Sequence, residues 1–301
     1  MPHGRQRGIA LISVLWAIVL LSALAASLLV ASRTELRLGR NAAGQAQARA
    51  LAEAGINRAI LGLLERQPDW RWRGDGTLYQ LSLPGGEVRI AIQDEAGRID
   101  LNRAGIGLLR PLFRAAGLDE VDAEALADAI LDWRDPDQLR RLHGAEDDDY
   151  RAAGYAYGAA DRPFAAVEEL QQVIGMSPAL YHRIAPAVTV FSGQPNVDAA
   201  VAPRAVLAVL PNMTEAGIDA VMAARAGRAA PAPFRPGGAV FTVYAEARGE
   251  NGGLYLREAI VRITRDPARP YLIHGWKQGD ASIFSTITHD TAVAEAQPDR
   301  R

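Results

Sequence analysis

The densest group of acidic residues lies between Asp132 and Tyr150, in the stretch DWRDPDQLRRLHGAEDDDY. Calcium takes about 6 to 8 oxygen ligands and favours loops that gather several carboxylates. Asp135 and Asp137 stand two apart across Pro136, and the spacing predicts that Gly144 permits a sharp turn back towards them. The residues that would return are Glu146, Asp147, Asp148 and Asp149. The spacing is therefore compatible with a calcium-binding loop.

This stretch is not an EF-hand. The fifth position counted from Asp135 is Leu139 and the sixth is Arg140, where an EF-hand requires an oxygen ligand and a glycine. A solvated acidic loop is the alternative, because runs of charge commonly face water and Arg134, Arg140 and Arg141 would partly neutralise this one. From the residues alone, both interpretations remain open.

No recognisable catalytic motif accompanies the acidic stretch. The sequence contains no GxSxG, P-loop or HExxH pattern, and it has no cysteine. Its five histidines are scattered, and we interpret His143, beside the acidic run, as a surface residue and not as a general base. We therefore expect a protein that is not an enzyme. A membrane-anchored hydrolase that uses His143 is one alternative.

Three places in the middle of the chain have the pattern helix, tight turn, helix, and resemble helix-hairpin-helix units. They centre on Gly117, Gly175 and Pro211-Asn212. Residues 101–235 carry 13 arginines, no lysine and 18 acidic residues, which gives a formal charge of −5. A surface of that sign repels the phosphates of DNA. The two glycines are better explained as residues that end helices in the left-handed conformation.

An apolar stretch near the N-terminus determines how the rest of the sequence is interpreted. Gly8 to Ser32 are 25 uncharged positions, enough at about 1.5 Å per residue to cross a hydrocarbon layer roughly 30 Å thick. The apolar centre of a secretory signal is shorter, about 7 to 15 residues, so we predict a transmembrane helix at residues 9–32. Arg5 and Arg7 before the span favour a cytoplasmic N-terminus and an exported C-terminal part.

The residues around Gly8 resemble the leader of the type IV prepilin-like class, in which a dedicated peptidase cuts after a glycine. The resemblance implies that Gly8 ends the leader and that Ile9 becomes the N-methylated mature N-terminus. Most members of the class carry glutamate at the fifth mature position, which is Ser13 here. That glutamate can neutralise the α-amine of an adjacent subunit, since an isolated charge in an apolar bundle is costly. Its absence is typical of the K-type minor pseudopilins, which cap the tip of the pseudopilus.

Beyond the span, the pattern predicts one long helix followed by an interrupted sheet. Proline is absent from residues 33–66. Apolar residues at intervals of three and four define one helical face: Ala48, Ala52, Ile56, Ala59, Ile60 and Leu63. Alternating patterns around Gly85-Gly86 and Asn251-Gly252 predict two hairpins that are far apart in the sequence. We therefore expect one sheet with an inserted helical domain.

The inserted part resembles the K-type pseudopilins of type II secretion. These proteins carry DWxDxD, a variable spacer, GAEDxxY, and then a tyrosine-containing segment before an EEL helix; here the pieces stand at residues 132–137, 144–150 and 155–170. The resemblance implies a two-calcium site, with the residues Asp135, Asp137, Glu146, Asp147 and Asp148. It implies I-type and J-type minor pseudopilins as partners, then the H-type and the major pseudopilin, and a prepilin peptidase that processes the leader.

We therefore predict an α+β protein with a pilin-like fold, in which a long N-terminal helix packs on an antiparallel sheet. A large all-α domain with helix-hairpin-helix-like units is inserted into that sheet. The predicted boundaries are a leader at 1–8, a spine helix at 9–66, a discontinuous pilin-like domain at 67–100 and 236–280, the inserted domain at 101–235, and a disordered tail at 281–301.

The expected function is that of a non-enzymatic subunit at the pseudopilus tip, which supports assembly of the pseudopilus and export of folded proteins across the outer membrane. The protein is expected to be anchored in the inner membrane by a single span, with its N-terminus cytoplasmic, its globular part periplasmic, and no nucleic acid bound. A DNA-binding competence-type pseudopilin that uses the hairpins is the main alternative.

Overall fold

The computed structural model of the chain describes residues 7–226, 238–281, 284 and 293–295. Its first element is a single long helix, α1 (Arg7–Leu64). No proline interrupts this segment, and Pro68 follows shortly after its end, which agrees with the predicted spine helix. Apolar side chains between Leu11 and Leu29 are exposed, whereas one face of the second half of the helix is buried.

In the part of the chain that the structure describes, eight strands follow α1. They are β1 (Asp75–Leu83), β2 (Gly86–Asp94), β3 (Ile99–Asp100), β4 (Val188–Thr189), β5 (Ala239–Gly249), β6 (Leu254–Ile263), β7 (Tyr271–Gln278) and β8 (Val293–Glu295). Six of them form one sheet in the order β7-β6-β5-β2-β1-β8, while β3 and β4 form a separate pair. The predicted hairpins are present, because β1 pairs with β2 and β5 pairs with β6, both antiparallel.

The two hairpins join in the centre of the sheet. β2 pairs antiparallel with β5, so that Ile90 lies opposite Ala245 although more than a hundred residues separate them. The inserted residues leave the sheet after β2 and return to it at β5. One continuous sheet with an insertion is therefore confirmed.

α1 packs on one face of the sheet, across β2, β5 and β6. All six residues of the predicted helical face are buried to at least 98% in this core: Ala48, Ala52, Ile56, Ala59, Ile60 and Leu63. At Gly55 the helix lies close to the sheet, because a Cβ atom there would lie only 2.7 Å from Cγ1 of Val88. Small residues on this face thus allow α1 to pack close to the strands.

The described residues of the inserted domain form six helices with a core of their own. These are α2 (Ile106–Ala115), α3 (Glu120–Arg134), α4 (Asp147–Ala152), α5 (Pro178–Ile184), α6 (Arg204–Leu207) and α7 (Glu215–Ala226), with short 3-10 turns at Glu95–Gly97, Val167–Gln172 and Ala185–Ala187. The domain is not purely helical, because β3 and β4 pair in parallel, with Ile99 opposite Val188. That pairing ties the first residues of the domain to the middle of its chain.

The predicted tight turns are present, although their flanking helices are shorter than the pattern suggested. Gly117 between α2 and α3 has φ +99°, and Gly175 before α5 has φ +86°, so both adopt the left-handed conformation as predicted. Leu118 donates its N–H to the carbonyl of Phe113, which closes the end of α2. In the second helix-hairpin-helix-like unit, around Gly175, a 3-10 turn takes the place of the first α-helix. In the third unit, around Pro211-Asn212, the first helix is α6, which has only four residues.

The inserted domain contacts the face of the sheet opposite α1 through polar groups. Gln93 Nε2 on β2 donates to the Val201 carbonyl at 2.8 Å, and Lys277 Nζ on β7 pairs with Glu168 Oε1 at 2.8 Å. Glu95 accepts hydrogen bonds from Thr242 Oγ1 at 2.6 Å and Arg98 Nη1 at 3.0 Å. Buried charges are tolerated only with such partners. These bonds therefore fix the position of the inserted domain on the sheet.

The C-terminal segment differs from the predicted disordered tail at the residues that the structure describes. Phe284 is 2% exposed and packs with Leu78, Ala91, Tyr244 and Leu256 on the face opposite α1. β8 then adds to β1 in parallel, which makes the sheet mixed at this edge and not purely antiparallel. The alternation of apolar residues in this segment is too short to have predicted the strand.

Candidate functional site

The acidic stretch forms the connection between α3 and α4. α3 ends at Arg134, and Arg134 donates to the carbonyls of Leu101 and Ala104, at 2.7 Å for the latter. α4 begins at Asp147 with Glu146 as its N-cap, and the Asp149 carboxylate accepts from the Glu146 N–H at 3.0 Å. Both ends of the loop are therefore anchored, one by a half-buried guanidinium and the other by a helix cap.

An aromatic wall lies beside this loop. Trp133 on α3 is 5.7 Å from Tyr150 on α4 and 6.2 Å from Phe164, measured between ring centroids. Tyr157 packs edge-on against Trp133 at 6.3 Å. Because these rings exclude water from one side of the loop, carboxylates next to them are partly desolvated.

Four carboxylate oxygens, three from this loop and one from the segment that follows α4, are buried and have no hydrogen-bond partner among the residues that the structure describes. They are both oxygens of Glu146, Oδ1 of Asp135 and Oδ1 of Asp161. The Glu146 carboxylate faces the Asp149 backbone N–H in a capping box but forms no hydrogen bond of good geometry with it. Glu146 is only 5% exposed. Buried carboxylates without partners are costly, so a cation or a hydrogen-bond donor beside these oxygens would stabilise them.

The negative charges of these carboxyl groups act on one another. Burial and then the charges of Asp132, Asp135, Asp161 and Asp137 raise the pKa of Glu146 from 4.5 to about 7. Burial likewise raises the pKa of Asp132, which is completely buried. Desolvation is the largest cause of the raised pKa of Glu146, and the neighbouring negative charges raise it further.

Arg141 supplies positive charge to this cluster from within the chain. Its Nη1 donates to Asp132 Oδ1 and to Asp135 Oδ2, the latter at 2.5 Å, and its backbone N–H donates to Asp132 Oδ2 at 3.1 Å. Gln138 Nε2 donates to the second oxygen of Asp161 at 2.7 Å. One guanidinium and one amide therefore satisfy only part of the acceptor capacity of the cluster.

Two glycines leave space for the carboxylates. A Cβ atom on Gly144 would collide with Oδ2 of Asp132, and one on Gly158 would collide with Oδ1 of Asp147. A turn closes at Gly144 as predicted, because its N–H donates to the Arg141 carbonyl at 3.2 Å, although its φ is not positive. Gly144 also lets the backbone pass close to a buried carboxylate.

The structure brings some of the predicted ligands together and not others. Asp135 and Glu146 lie in the cluster, and Asp137 is near its rim, where its Oδ1 accepts from the Leu139 N–H at 2.9 Å. Asp147 faces Gly158, outside the four unpartnered oxygens. The Asp148 side chain is 95% exposed and pairs with Arg151, so it points away from the cluster.

Two residues of the cluster were not among the predicted ligands. Asp132 belongs to the DWxDxD pattern. Its side chain is buried because it lies on the inward-facing side of α3, and the pattern alone does not indicate which side that is. Asp161 stands alone in the sequence, with a left-handed φ of 51° that places its carboxylate in the cluster. An isolated acid at such a position carries no spacing signal, so sequence reasoning could not have found it.

The residues fit calcium in their donor chemistry. Among residues 7–226 and 238–281, no three acidic or histidine side chains already converge closely enough to hold a metal ion. The unpartnered oxygens of Glu146, Asp135 and Asp161 are nevertheless carboxylates, the ligand type that calcium prefers. A bound cation would satisfy them and offset their mutual repulsion.

The N-terminal residues implied by the leader resemblance lie at the start of α1. Gly8 and Ile9 fall within its first turn, residues 1–6 lie outside the described part of the chain, and Ser13 lies in the apolar segment. By length and composition, α1 is the one described helix that could cross a membrane. Exposed residues such as Leu15 and Trp16, 64% and 69% accessible, are consistent with an anchor.

Around His143 and His274, two of the histidines that the structure describes, no arrangement resembles a hydrolytic site. His143 is exposed, and its backbone N–H donates to Asp128 Oδ2 at 3.2 Å. His274 Nε2 accepts from Arg262 Nε at 2.9 Å, and burial together with this arginine lowers the pKa of His274. These contacts serve packing and do not orient an imidazole towards a nucleophile.

Comparison with known proteins gives consistent results. Residues 90–193 match the family described as type II secretion system (T2SS), protein K. The chain is 30% identical to the type II secretion system protein K of Pseudomonas aeruginosa over 242 residues, which cover 71% of this chain and 72% of that protein. It is 28% identical to the Klebsiella pneumoniae protein K over 232 residues, covering 69% and 70% of the two chains.

The fold is also that of a solved member of this group. A chain of the crystal structure of the GspK-GspI-GspJ complex from the enterotoxigenic Escherichia coli type 2 secretion system aligns with a TM-score of 0.54 and 15% identity. The alignment covers 83% of this chain and 99% of that one. The relatives are secretion proteins, which favours secretion over the DNA-binding alternative. The chain therefore belongs to the type II secretion system protein K family, the K-type minor pseudopilins.

Proposed function

We propose that this minor pseudopilin has no enzymatic activity and occupies the tip of the type II secretion pseudopilus, where it supports filament assembly and the export of folded proteins. The observation that carries the proposal is Ser13, an uncharged residue at a position of α1 where most prepilin-like proteins carry glutamate. A subunit without this carboxylate offers no counter-charge to the α-amine of a subunit added above it. It therefore ends a stack of helices.

The proposal includes a defined membrane topology. Arg5 and Arg7 precede the apolar segment, which favours a cytoplasmic N-terminus. The globular part would then lie in the periplasm, with α1 anchored in the inner membrane. Prepilin peptidase would cut after Gly8, and Ile9 would become the N-methylated terminus.

The partners proposed are the I-type and J-type minor pseudopilins, followed by the H-type and the major pseudopilin. The related E. coli chain was solved in a complex with GspI and GspJ, which supports this choice. Exposed small residues on α1 allow close helix packing: Ala42, Ala43, Ala46 and Ala50. No nucleic acid is involved, because the inserted domain is acidic.

Calcium is proposed as a structural ion of the inserted domain. The four unpartnered carboxylate oxygens of Glu146, Asp135 and Asp161 support one ion among them. Asp147 and Asp137 lie at the edges of this cluster and are available to a second ion, as the family resemblance implies. Asp148 is the least suited of the five predicted ligands, because its side chain is exposed and paired with Arg151.

The tip assignment is tested by locating the protein on filaments. Pseudopili from cells that overproduce the major pseudopilin would be sheared and labelled with gold particles against an epitope on the periplasmic part. Label at one end of each filament is the expected result. Label distributed along the filament body would contradict the tip assignment.

A further inference from the structure

The segment after β7 is attached to the sheet at two points. The first is Phe284, which belongs to a buried cluster on the face opposite α1. The cluster takes one residue from each of four neighbouring strands: Leu256 of β6, Tyr244 of β5, Ala91 of β2 and Leu78 of β1. The second attachment is β8, which pairs with β1 at the edge of the sheet. We call residues 279–295 the C-terminal strap.

Phe284 is the main anchor of the strap. Its side chain is 2% exposed, and Cζ of Arg89 lies 5.4 Å from the centroid of its ring. Arg89 is itself held in place, because its Nε donates to Glu246 Oε1 at 2.9 Å. The strap also starts close to the sheet, since the Gly279 N–H donates to the Leu256 carbonyl at 3.0 Å. The strap is therefore fixed on the sheet face before it reaches the edge.

β8 alone is a weak attachment. Its three residues pair in parallel with Leu78, Tyr79 and Gln80 of β1. So short a ladder forms few backbone hydrogen bonds, and parallel pairing is slightly less stable per residue than antiparallel pairing. Leu78 connects the two attachments, because its side chain packs in the cluster of Phe284 while its backbone lies opposite Val293. Phe284 thus holds the chain where β8 can pair.

The strand that β8 covers lacks the usual protection of a sheet edge. From Thr77 to Leu83, β1 has the sequence TLYQLSL, which contains no charge, proline or glycine. Strand-forming segments of about six or seven residues with no charge and no proline pair readily with other chains. At the opposite edge, by contrast, β7 carries the charge of Lys277. β1 is therefore the edge at which this sheet would self-associate if it were uncovered.

β8 replaces this edge with one that is harder to extend. It is three residues long and ends at Glu295, and the sequence continues with Ala-Gln-Pro-Asp-Arg-Arg. Very short strands, charges and proline are the features by which natural sheets block edge-to-edge pairing. The strap thus exchanges a long uncharged edge for a short one flanked by charged residues.

We propose that the C-terminal strap prevents the β1 edge from pairing with the β1 edge of a second copy of this chain, and that Phe284 anchors it. Loss of β8 exposes the β1 edge directly. Loss of the Phe284 ring exposes it indirectly, because β8 is then no longer held beside β1. The inference does not depend on the proposed function, since it concerns the stability of the separate subunit.

The test compares two chains that differ only at the C-terminus. A chain that ends at Asp290 lacks β8 but keeps Phe284, whereas a control chain that ends at Glu295 keeps both and lacks only the last six residues. Both retain α1 and are purified in mild detergent. Hydrogen exchange of residues 77–83, measured by mass spectrometry, should be roughly tenfold faster in the chain that ends at Asp290. The control should exchange like the complete chain.

A unique cysteine reports self-association, because the chain has none of its own. Gln80→Cys places a thiol at an exposed position of β1, opposite Glu295 of β8. Under mild oxidation, disulfide-linked dimers should form with the chain that ends at Asp290 and not with the control. Association through α1 would be equal in the two chains, so the difference between them reports the β1 edge.

Two substitutions in the complete chain test the anchor. Phe284→Ala should speed exchange at residues 77–83, because the strap loses its buried ring, whereas Phe284→Leu should retain most of the protection. Equal exchange and equal crosslinking in the two shortened chains would overturn the proposal. Faster exchange without dimers would also overturn it, because β8 would then cover β1 without preventing self-association.

Discussion

Arg141 holds the buried carboxylate of Asp132 with two groups at once, its guanidinium and its own backbone N–H. Asp132 has no exposed surface, so this arginine is the internal counter-charge of the acidic cluster. The guanidinium supplies positive charge to a group of carboxylates that, in our account, also binds calcium. The first prediction follows from this double role.

Arg141→Ala should destabilise the calcium-free globular part by about 1 to 3 kcal/mol, because a buried carboxylate loses its partner. Saturating calcium should reduce this loss, since the ion supplies the missing positive charge. Thermal unfolding with chelator and with excess calcium measures both values. An equal loss in the two conditions would show that Arg141 and the ion do not share the cluster.

Asp161→Asn should weaken the calcium dependence of the melting temperature, because it removes charge from one of the four unpartnered oxygens. Asp135→Ala together with Asp137→Ala should remove the dependence altogether. Asp148→Asn is the matched control, since that side chain is 95% exposed and pairs with Arg151. A melting temperature that does not respond to chelator in the unmodified protein would count against the calcium site itself.

The stability of the calcium-free protein should fall as pH rises from about 4.5 to about 7. In this window the folded state keeps a proton on Glu146, whose pKa is raised to about 7, whereas the unfolded state loses it near 4.5. The folded state binds more protons, so the free energy of unfolding decreases with pH, by at most about 3 kcal/mol.

Urea unfolding at several pH values in chelator measures this slope. Glu146→Gln should flatten it, because the amide does not ionise. Calcium should stabilise the protein more at pH 8 than at pH 5.5, since the ligand is already ionised at the higher pH. A slope of the same size in the Glu146→Gln variant would assign the pH dependence to another group.

Gly144→Ala should destabilise the inserted domain by about 1 to 3 kcal/mol, because the new methyl group would enter the space of the Asp132 carboxylate. Gly107→Ala in α2 is the control, since no atom lies within 4 Å of a Cβ there and φ is not positive. Alanine in that helix should be neutral or stabilising by up to about 1 kcal/mol. Comparable destabilisation of both variants, measured by chemical unfolding, would refute the packing argument at Gly144.

Much of the pilin-like part could be predicted because its signals are local. The period of Ala52, Ile56 and Ala59 identified the buried face of α1, and the turns at Gly85 and Asn251-Gly252 identified the hairpins. What the sequence did not show depends on contacts between distant residues. Ile99 pairs with Val188, and no local pattern predicts a two-residue parallel ladder of that kind.

The sequence predicted where the acidic cluster lies along the chain, but not which carboxylates form it. A dense acidic run indicates a site, yet its helical phase decides which carboxylates face inward, so Asp148 points out while Glu146 is buried. Asp161 enters from a separate loop through an unusual backbone angle. The buried Phe284 likewise lies in a segment whose composition favours disorder.

The most direct test of the account is the intact mass of the protein extracted from membranes. Our account predicts a chain that begins at Ile9 and carries one additional methyl group, as expected for a processed pseudopilin. A mass that corresponds to the full chain, or to cleavage beyond the apolar segment, would contradict it.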